Sequence, residues 1–492
     1  MSANKLYLGI IIYLYLPLTV FLLGWVSPIV SVPVLFISIA GIFFAMRNVW
    51  NNNKSEIIPV SVLEIGFILL LFIFFFIFVG QGDLFPQDFD WHKHHAIFND
   101  LLNYSWPVVY DNNSMLTYYL GQYIVPAAIA KILFHSNLVM RIMIPVWNAL
   151  GLLLVYIFMV SFLKAETKWK KLGILLAVFF WGGATNWGNI VYNIAGHETL
   201  GMLDGQYKWI DIERIRVHFA SNYDACYGAF QHVISPWVAC SFFVGNRKNT
   251  ETYVMIALPL LFSATFGFVY FAALLLFFAI YDLMKDRRFK EWIKSIFSKG
   301  NLFLLPMTAV ILIYLTGNIL GDKPSAVGLR IIHMADYMDF FIIFVLCEFL
   351  GYALFLFKRN KRNVMFYAIV IELLIIPFIS LGLYNDLCSR GGIPARFILM
   401  LLCIEQIYNS TKKDWCYAGL AALLVVAALN TEVQISAHID RTIAGWKEKS
   451  YVEDDYKSLE GYAGNPDVRV DEAYNYYTLD YSDSLFKKIA RK

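Results

Sequence analysis

Thr117-Tyr118-Tyr119-Leu120-Gly121-Gln122-Tyr123-Ile124-Val125-Pro126-Ala127-Ala128-Ile129-Ala130-Lys131-Ile132-Leu133-Phe134 is apolar enough to cross a membrane, and whether it crosses decides the orientation of everything after it. Short loops rich in Lys and Arg stay on the cytoplasmic side. If this segment crossed, Lys164, Lys168, Lys170 and Lys171 would fall on the side opposite Arg47 and Lys54, and every later basic cluster would invert with them. A helix lying at or dipping into the outer interface keeps all the clusters together, and such a segment is allowed where protein covers it. Tyr118, Tyr119 and Tyr123 suit an interfacial aromatic belt.

The rest of the chain agrees with a membrane setting. Of 492 residues, 59% are hydrophobic, 17% aromatic and only 16% charged, far from the polar surface a soluble chain of this length needs. A net charge of +3, with no basic stripe between aromatic platforms, gives no footprint for nucleic acid. Cys226, Cys240, Cys347, Cys388, Cys403 and Cys416 are scattered and suggest neither a disulfide framework nor a zinc site. Met1 to Lys5 leads into a long apolar run without a small-residue cleavage pattern, which predicts a retained first span.

A span takes about 20 apolar residues. Candidates are 6–27, 29–46, 62–80, 138–163, 172–190, 229–246, 252–266, 267–284, 301–319, 338–357, 364–384, 394–410 and 415–430, with a turn expected near Phe266-Gly267. The expected fold is an all-α polytopic membrane protein of about thirteen transmembrane helices, N-terminus inside. With that count Arg247/Lys248, Lys285 to Lys299, Lys358/Arg359/Lys361/Arg362 and Lys412/Lys413 share the inner side. A transmembrane domain over 1–430 would then carry outer loops at about 81–137, 191–228, 321–336 and 385–393. A polar tail, 431–492, with 9 Lys/Arg against 12 Asp/Glu, would lie outside.

Chemistry-bearing residues gather on that outer side. Asp88-Phe89-Asp90-Trp91-His92-Lys93-His94-His95 opens the first loop, before interfacial helices expected over about 91–103 and 116–134. Asp90 can cap the first of these. Asp88 and Asp90 together can also hold a divalent cation, or one of them can take a proton from an attacking hydroxyl. His92, His94 and His95 either contribute to that site or bond backbone and headgroups. Tyr118 and Tyr119 either pack or wall a groove open to lipid tails. In the second loop Asp224 and His232 are candidates, with His232 at the mouth of a span that carries Pro236-Trp237. In the fourth, Arg390 and Arg396 flank Gly391-Gly392-Ile393-Pro394. Arginine is costly inside a span and grips phosphate with two parallel hydrogen bonds. The alternative for Arg390 is an ion pair with Asp386. Arg141 is a third candidate of this kind, and Glu348 and Glu372 lie well inside spans.

An acidic motif opening the first large outer loop, interfacial helices after it, a Tyr118-Tyr119 segment before the Arg141-bearing span and about thirteen spans together resemble the GT-C class of integral-membrane glycosyltransferases, which use polyprenyl-phosphate-linked sugars. The stretch from Asp88 to Lys131 is also similar to that of uncharacterised bacterial membrane proteins near this class. Two spans precede the one leading into the acidic loop, and Trp106-Pro107 to Tyr119 lacks a His-Pro-Pro run; both depart from the class.

The resemblance implies a bacterial inner membrane with the active site on its outer face and a glycan, lipid or protein acceptor. Asp88 or Asp90 would act on the acceptor, directly or through Mg²⁺ or Mn²⁺. Arg390, with Arg396 and Arg141, would bind the donor phosphate, and transfer would invert the anomeric carbon. Two other classes fit the arrangement: an O-antigen ligase or polymerase, and a lipid or glycan transporter.

Overall fold

The computed structural model describes residues 1–53, 56–87, 91–194, 211–212, 215–286, 288–319, 329–381, 385–410, 414–448, 458–460 and 476–492. The chain is an all-α membrane protein with three small two-stranded ribbons. Among the described residues seven helices are long and apolar enough to cross a membrane, or nine if each of two sharply bent pairs counts as one span.

The first three helices are α1 (Ala3–Trp25), α2 (Pro28–Asn52) and α3 (Val62–Phe78). α1 is the packing axis: Leu6, Ile10, Leu18, Phe21, Leu22 and Trp25 are all essentially buried, at spacings that place them around more than one face. α2 and α3 expose long apolar side chains such as Phe36, Phe43, Phe67 and Phe74, as lipid-facing helices do. The segment between α3 and the next long helix holds α4 (Trp91–Asn103) and α5 (Ile124–Ile132). Then come α6 (Asn137–Phe162), α7 (Lys168–Phe180), α8 (Thr185–Ile194) and α9 (Asn222–Gly228). They are followed by α10 (Ile234–Asn246), α11 (Tyr253–Ser263), α12 (Thr265–Asp286), α13 (Phe289–Ile296), α14 (Lys299–Leu302) and α15 (Leu305–Ile319). The last helices are α16 (Met338–Val345), α17 (Gly351–Asn360), α18 (Val364–Ile375), α19 (Asp386–Gly391), α20 (Ile393–Asn409) and α21 (Trp415–Glu448).

Several expectations change in detail. The segment expected as one interfacial helix over 116–134 is helical only at Leu120–Gln122, as a tight turn, and at α5. Taken together, Leu120–Ile132 is a short apolar helical stretch of the same class as Val62–Phe78, Thr250–Ser263 and Val364–Phe378. Ahead of α5 the chain is extended because the Tyr314 hydroxyl accepts the Tyr118 N–H at 3.0 Å and donates towards the Tyr118 carbonyl at 3.1 Å. Gly121 then passes so close to α11 that a Cβ there would meet Ser263 Cβ at 2.3 Å. The turn expected near Phe266-Gly267 falls at Ala264, between α11 and α12. Four expected spans appear as short helices: α3, α10, α11 and α18 have 17, 13, 11 and 12 residues.

The span expected over 172–190 is broken, with α7 and α8 bent by 51° across Trp181 to Ala184. Unwound backbone at that depth needs partners from the protein. The Trp181 carbonyl accepts Asn222 N–H at 2.8 Å, the Gly182 carbonyl accepts the Tyr352 hydroxyl at 2.8 Å, and Ala184 N–H donates to the Cys347 carbonyl at 2.9 Å. A π-turn at Leu346–Leu350, between α16 and α17, delivers Glu348 to this break, where its Oε1 accepts the Thr185 hydroxyl at 2.5 Å.

The chain around residue 430 shows no boundary, since α21 runs through it to Glu448. Farther on, the chain returns to the segment that holds α4 and α5. Strand β1 (Met115–Leu116) pairs antiparallel with β6 (Tyr477–Thr478), Thr117 N–H donates to the Tyr476 carbonyl at 2.7 Å, and Val26 bridges Ala490. Phe486 sits at 0% exposure against Phe21 and Tyr314, with ring centroids 6.1 and 5.4 Å apart. Between these, β2 (Asp211–Ile212) pairs with β3 (Ile215–Arg216), and β4 (Arg330–Ile331) with β5 (Ile379–Ser380).

Contacts between helix ends sort the connections into two sets. In one, Ser2 bridges Ile57, the Ser161 hydroxyl donates to Glu56 at 2.7 Å, and Lys171 pairs with Glu64 at 2.7 Å. In the other, at the far ends of the same helices, lie the β1–β6 ribbon, α4, α5, α9 and α19.

Candidate functional site

Asp88 and Asp90, with the expected capping role of Asp90, lie outside the described residues, but the chain on either side of them is anchored. Before them, Gln87 donates to the Gly80 carbonyl at 2.6 Å and to Asp83 Oδ1 at 2.8 Å. His95 Nε2 lies 2.9 Å from Gln87 Oε1 and 3.2 Å from Asp83 Oδ1. Arg141 Nε lies 2.7 Å from Asp83 Oδ2, so this arginine belongs to the anchor of the first loop. After them, the Trp91 indole N–H donates to the Tyr227 carbonyl at 3.3 Å, and its ring stacks on Phe230 at 5.2 Å.

From Trp91 the helix α4 is amphipathic, but its polar side chains do not all face water. His94 is completely buried, with Nδ1 2.7 Å from the Tyr123 hydroxyl and its ring against Trp91 and Phe230. Lys93 is buried too, whereas His92 is half-buried. The C-terminal end of α4 is capped from α5: the Lys131 ammonium donates to the carbonyls of Leu101 and Leu102 at 3.2 and 3.0 Å, and to that of Tyr104. That satisfies acceptors a helix end leaves orphaned, with a cation at the negative end of the dipole. Desolvation lowers the Lys131 pKa.

Asp100, one turn before the end of α4, is fully buried. Its Oδ2 accepts the Tyr110 hydroxyl at 2.7 Å and the Leu459 N–H at 2.9 Å. Burial pushes its carboxyl up to about 6, against hydrogen bonds from Tyr110, Leu459 and Ser458 that hold it down. Asp100 thus ties α4 to a stretch of chain about 360 residues later, as a structural acid.

A polar cluster forms where α19, the turn before α10 and the Tyr118-Tyr119 segment meet. Arg390, on α19, pairs with Asp386 at 3.3 Å one turn back, and its Nη1 lies 3.3 Å from His232 Nε2. The His232 ring meets Tyr119 edge-on at 4.6 Å and Phe266 at 5.9 Å. Tyr118 is buried beside Tyr119, with centroids 3.8 Å apart, and desolvation holds its pKa well above the usual phenol range. Arg390, Lys93 and His94 all act electrostatically on His232. Arg390 therefore has its Asp386 ion pair and a second engagement that sequence spacing alone did not indicate.

An arginine is always a donor, so His232 Nε2 accepts, and the ring proton lies on Nδ1. That Nδ1 is buried and has no hydrogen-bond partner among the described residues. The neighbouring Gln231 amide is also fully buried, and neither its oxygen nor its nitrogen has such a partner. Asn385, just ahead of Asp386, shows the same pattern. Buried polar groups are normally satisfied, and an unsatisfied one costs about 1–3 kcal/mol. Gln231 and Asn385 are the sequence neighbours of His232 and Asp386, the two partners of Arg390.

Not every candidate joins this cluster. Arg396 is 6% exposed, its guanidinium lies 5.4 Å over the Phe219 ring, and its electrostatic neighbours are Glu348 and Asp224. Asp224 also completes the cap of α9, where Ser221 Oγ accepts its N–H at 3.1 Å and donates to its Oδ2 at 2.6 Å. Among the described residues no group of three His, Cys, Asp or Glu is placed to hold a metal ion, and the expected Asp88/Asp90 pair is not among them.

Sequence spacing singled out Arg390, His232, Tyr118, Tyr119 and His94, but not Lys93, Tyr123 or Gln231 as site residues. A lysine on an amphipathic helix reads as solvated, and a glutamine at a span mouth reads as interfacial. Their burial depends on elements distant in sequence. No protein-family model, no curated protein and no solved structure matches the chain.

Proposed function

We propose that this chain is an integral-membrane glycosyltransferase that moves a sugar from a polyprenyl-phosphate donor to an acceptor at the outer face of a bacterial inner membrane. The reading counts thirteen crossings by adding α3, α10, α11 and α18 to the nine longer spans. Helices this short cross by local thinning of the bilayer and by packing against neighbours. The N-terminus is then inside, and the Arg390 cluster outside.

The observation that carries the reading is the Arg390 guanidinium held in one orientation between Asp386 and His232. A guanidinium so oriented is suited to a phosphate oxygen that gains charge as the glycosidic bond to phosphate breaks. Lys93 on α4 adds a second cation. The acceptor oxygen attacks the anomeric carbon from the opposite face, its proton goes to Asp88 or Asp90, and the lipid phosphate leaves with the bonding pair towards Arg390. Tyr118 and Tyr119 wall the groove. Arg141 and Arg396 act as structural cations, since each sits beside carboxylates of its own.

Asp88→Asn and Asp90→Asn, assayed singly with a defined polyprenyl-phosphate-sugar, test the reading, and full turnover in both removes it. A second reading, a lipid or glycan carrier, draws on the break at Trp181–Ala184 and the buried Glu348 and Arg396 beside it, because transporters use broken helices at mid-membrane depth. Reconstituted in vesicles, a carrier moves the lipid-linked sugar without forming a glycosidic bond.

A further inference from the structure

The opposite end of α10 from His232 carries a second polar site. Thirteen helical residues separate the two ends by about 20 Å. Beyond Asn246 a cavity of about 310 Å³ opens between the α10–α11 connection, the C-terminal part of α12 and α13. Arg247, Lys248, Lys285 and Arg288 line it, against Asp282 and Glu291.

These charges are not equivalent. Arg247 Nη1 donates to both Asp282 oxygens at 3.1 and 3.2 Å, and its guanidinium lies 4.8 Å over Phe278. It is a fixed, locally neutralised wall. Arg288 pairs with Glu291 at 3.2 Å, but both side chains are about 70% exposed, so that pair is weak. Lys248 and Lys285 then leave the cavity with an excess of two cations. At its back the hydroxyls of Thr250 and Ser295 bond each other and offer one further donor.

The helix that closes the cavity faces lipid. Phe289, Ile293 and Phe297 recur every four residues and are exposed at 58%, 37% and 60%, while Lys290 and Lys294 take the other face. Trp292 pins α13 to α12 through its indole N–H on the Ala279 carbonyl at 2.7 Å. This is the pattern of a helix lying in the membrane surface with its apolar face among acyl chains.

We infer that this cavity binds the phosphate of an anionic phospholipid headgroup through Lys248 and Lys285, with α13 anchored in the membrane surface by Phe289, Ile293 and Phe297. The apolar row lies across α13 from the cavity-lining Arg288, Glu291, Trp292 and Ser295, so it seats α13 at the membrane surface and brings the cavity to headgroup depth, where the abundant phosphate is that of a lipid. The site is separate from the sugar-transfer reading and stands if that reading fails.

The test is a thermal-shift titration of the full-length protein in zwitterionic detergent with dihexanoyl phosphatidylglycerol, dihexanoyl phosphatidylcholine or inorganic phosphate. Phosphatidylglycerol should raise the melting temperature saturably, and phosphatidylcholine should not. In Lys248→Gln/Lys285→Gln the phosphatidylglycerol midpoint should weaken between tenfold and thirtyfold, the scale expected of two cations at an anionic surface. Lys358→Gln/Arg359→Gln, at a different basic cluster, should stay within twofold of the parent. Each lysine is also changed singly, so one misfolded variant still leaves a reading. Equal stabilisation by both lipids, by phosphate alone, or an equal loss in the control pair overturns the inference.

Discussion

Arg390 and His232, 158 positions apart in the chain, meet at 3.3 Å with the arginine as donor and the imidazole as acceptor. The contact fixes the histidine as a neutral tautomer and aims its remaining N–H away from the arginine. It also leaves the guanidinium, already paired with Asp386, in one orientation. A lysine has the charge but not the fork. Arg390→Lys should therefore fold normally and lose about a hundredfold in kcat/KM for a polyprenyl-phosphate-sugar, with Arg390→Ala no better. Activity within threefold of the parent would remove Arg390 from the proposed phosphate site.

Asp100 supplies a pH dependence that can be read without any substrate. Its folded pKa, about 6, lies above the ordinary value of 3.8, so between those values the folded chain binds more protons than the unfolded one. The stability it contributes is complete below about pH 4 and is lost as pH rises through 6. Asp100→Asn is neutral at every pH. The difference in melting temperature, parent minus variant, should fall steadily from pH 4 to pH 7, by an equivalent of up to about 3 kcal/mol. A flat difference would show that Asp100 is not desolvated as described.

The anchor of the first loop is testable by a double-mutant cycle on Asp83→Asn and Arg141→Gln. The 2.7 Å contact joins a buried carboxylate to a half-exposed arginine, so the coupling should be about 1 kcal/mol or slightly more. Additive losses in denaturation would mean that the two residues act independently.

Gly183 marks the helix break. A Cβ there would meet Glu348 Oε2 at 2.0 Å, so Gly183→Ala should destabilise by about 1–3 kcal/mol. Shortening the opposing side chain makes room, and Gly183→Ala/Glu348→Ala should recover part of the loss relative to the sum of the single changes. No recovery would place the clash elsewhere.

Apolar run length marks membrane helices well because lipid imposes that length, and α1, α2, α6 and α12 lie close to their expected bounds. α4 coincides with its expected 91–103 for a local reason as well, a short amphipathic pattern between polar turns. What depends on distant chain was not legible. The break at Gly182-Gly183 needs Glu348 and Tyr352 to satisfy it, and the extended Tyr118 needs Tyr314. In the site, the Arg390–Asp386 pair was readable from one-turn spacing, whereas His232 and Gln231 joined it only through the packing of α10 against α20.

The β1–β6 ribbon and the Val26–Ala490 bridge set an order of assembly. Thr117 and Trp25 emerge early from the ribosome, but the strand that pairs with Met115–Leu116 and the chain that bonds Trp25 emerge only after α21 has been made. Until then the Tyr118-Tyr119 wall lacks one of its supports, and Phe21 and Tyr314 lack the ring that fills the space between them. Without residues 476–492 the Met115–Leu116 strand has no partner strand. On this order, the face on which the chemistry is proposed to occur is the last part of the described fold to close.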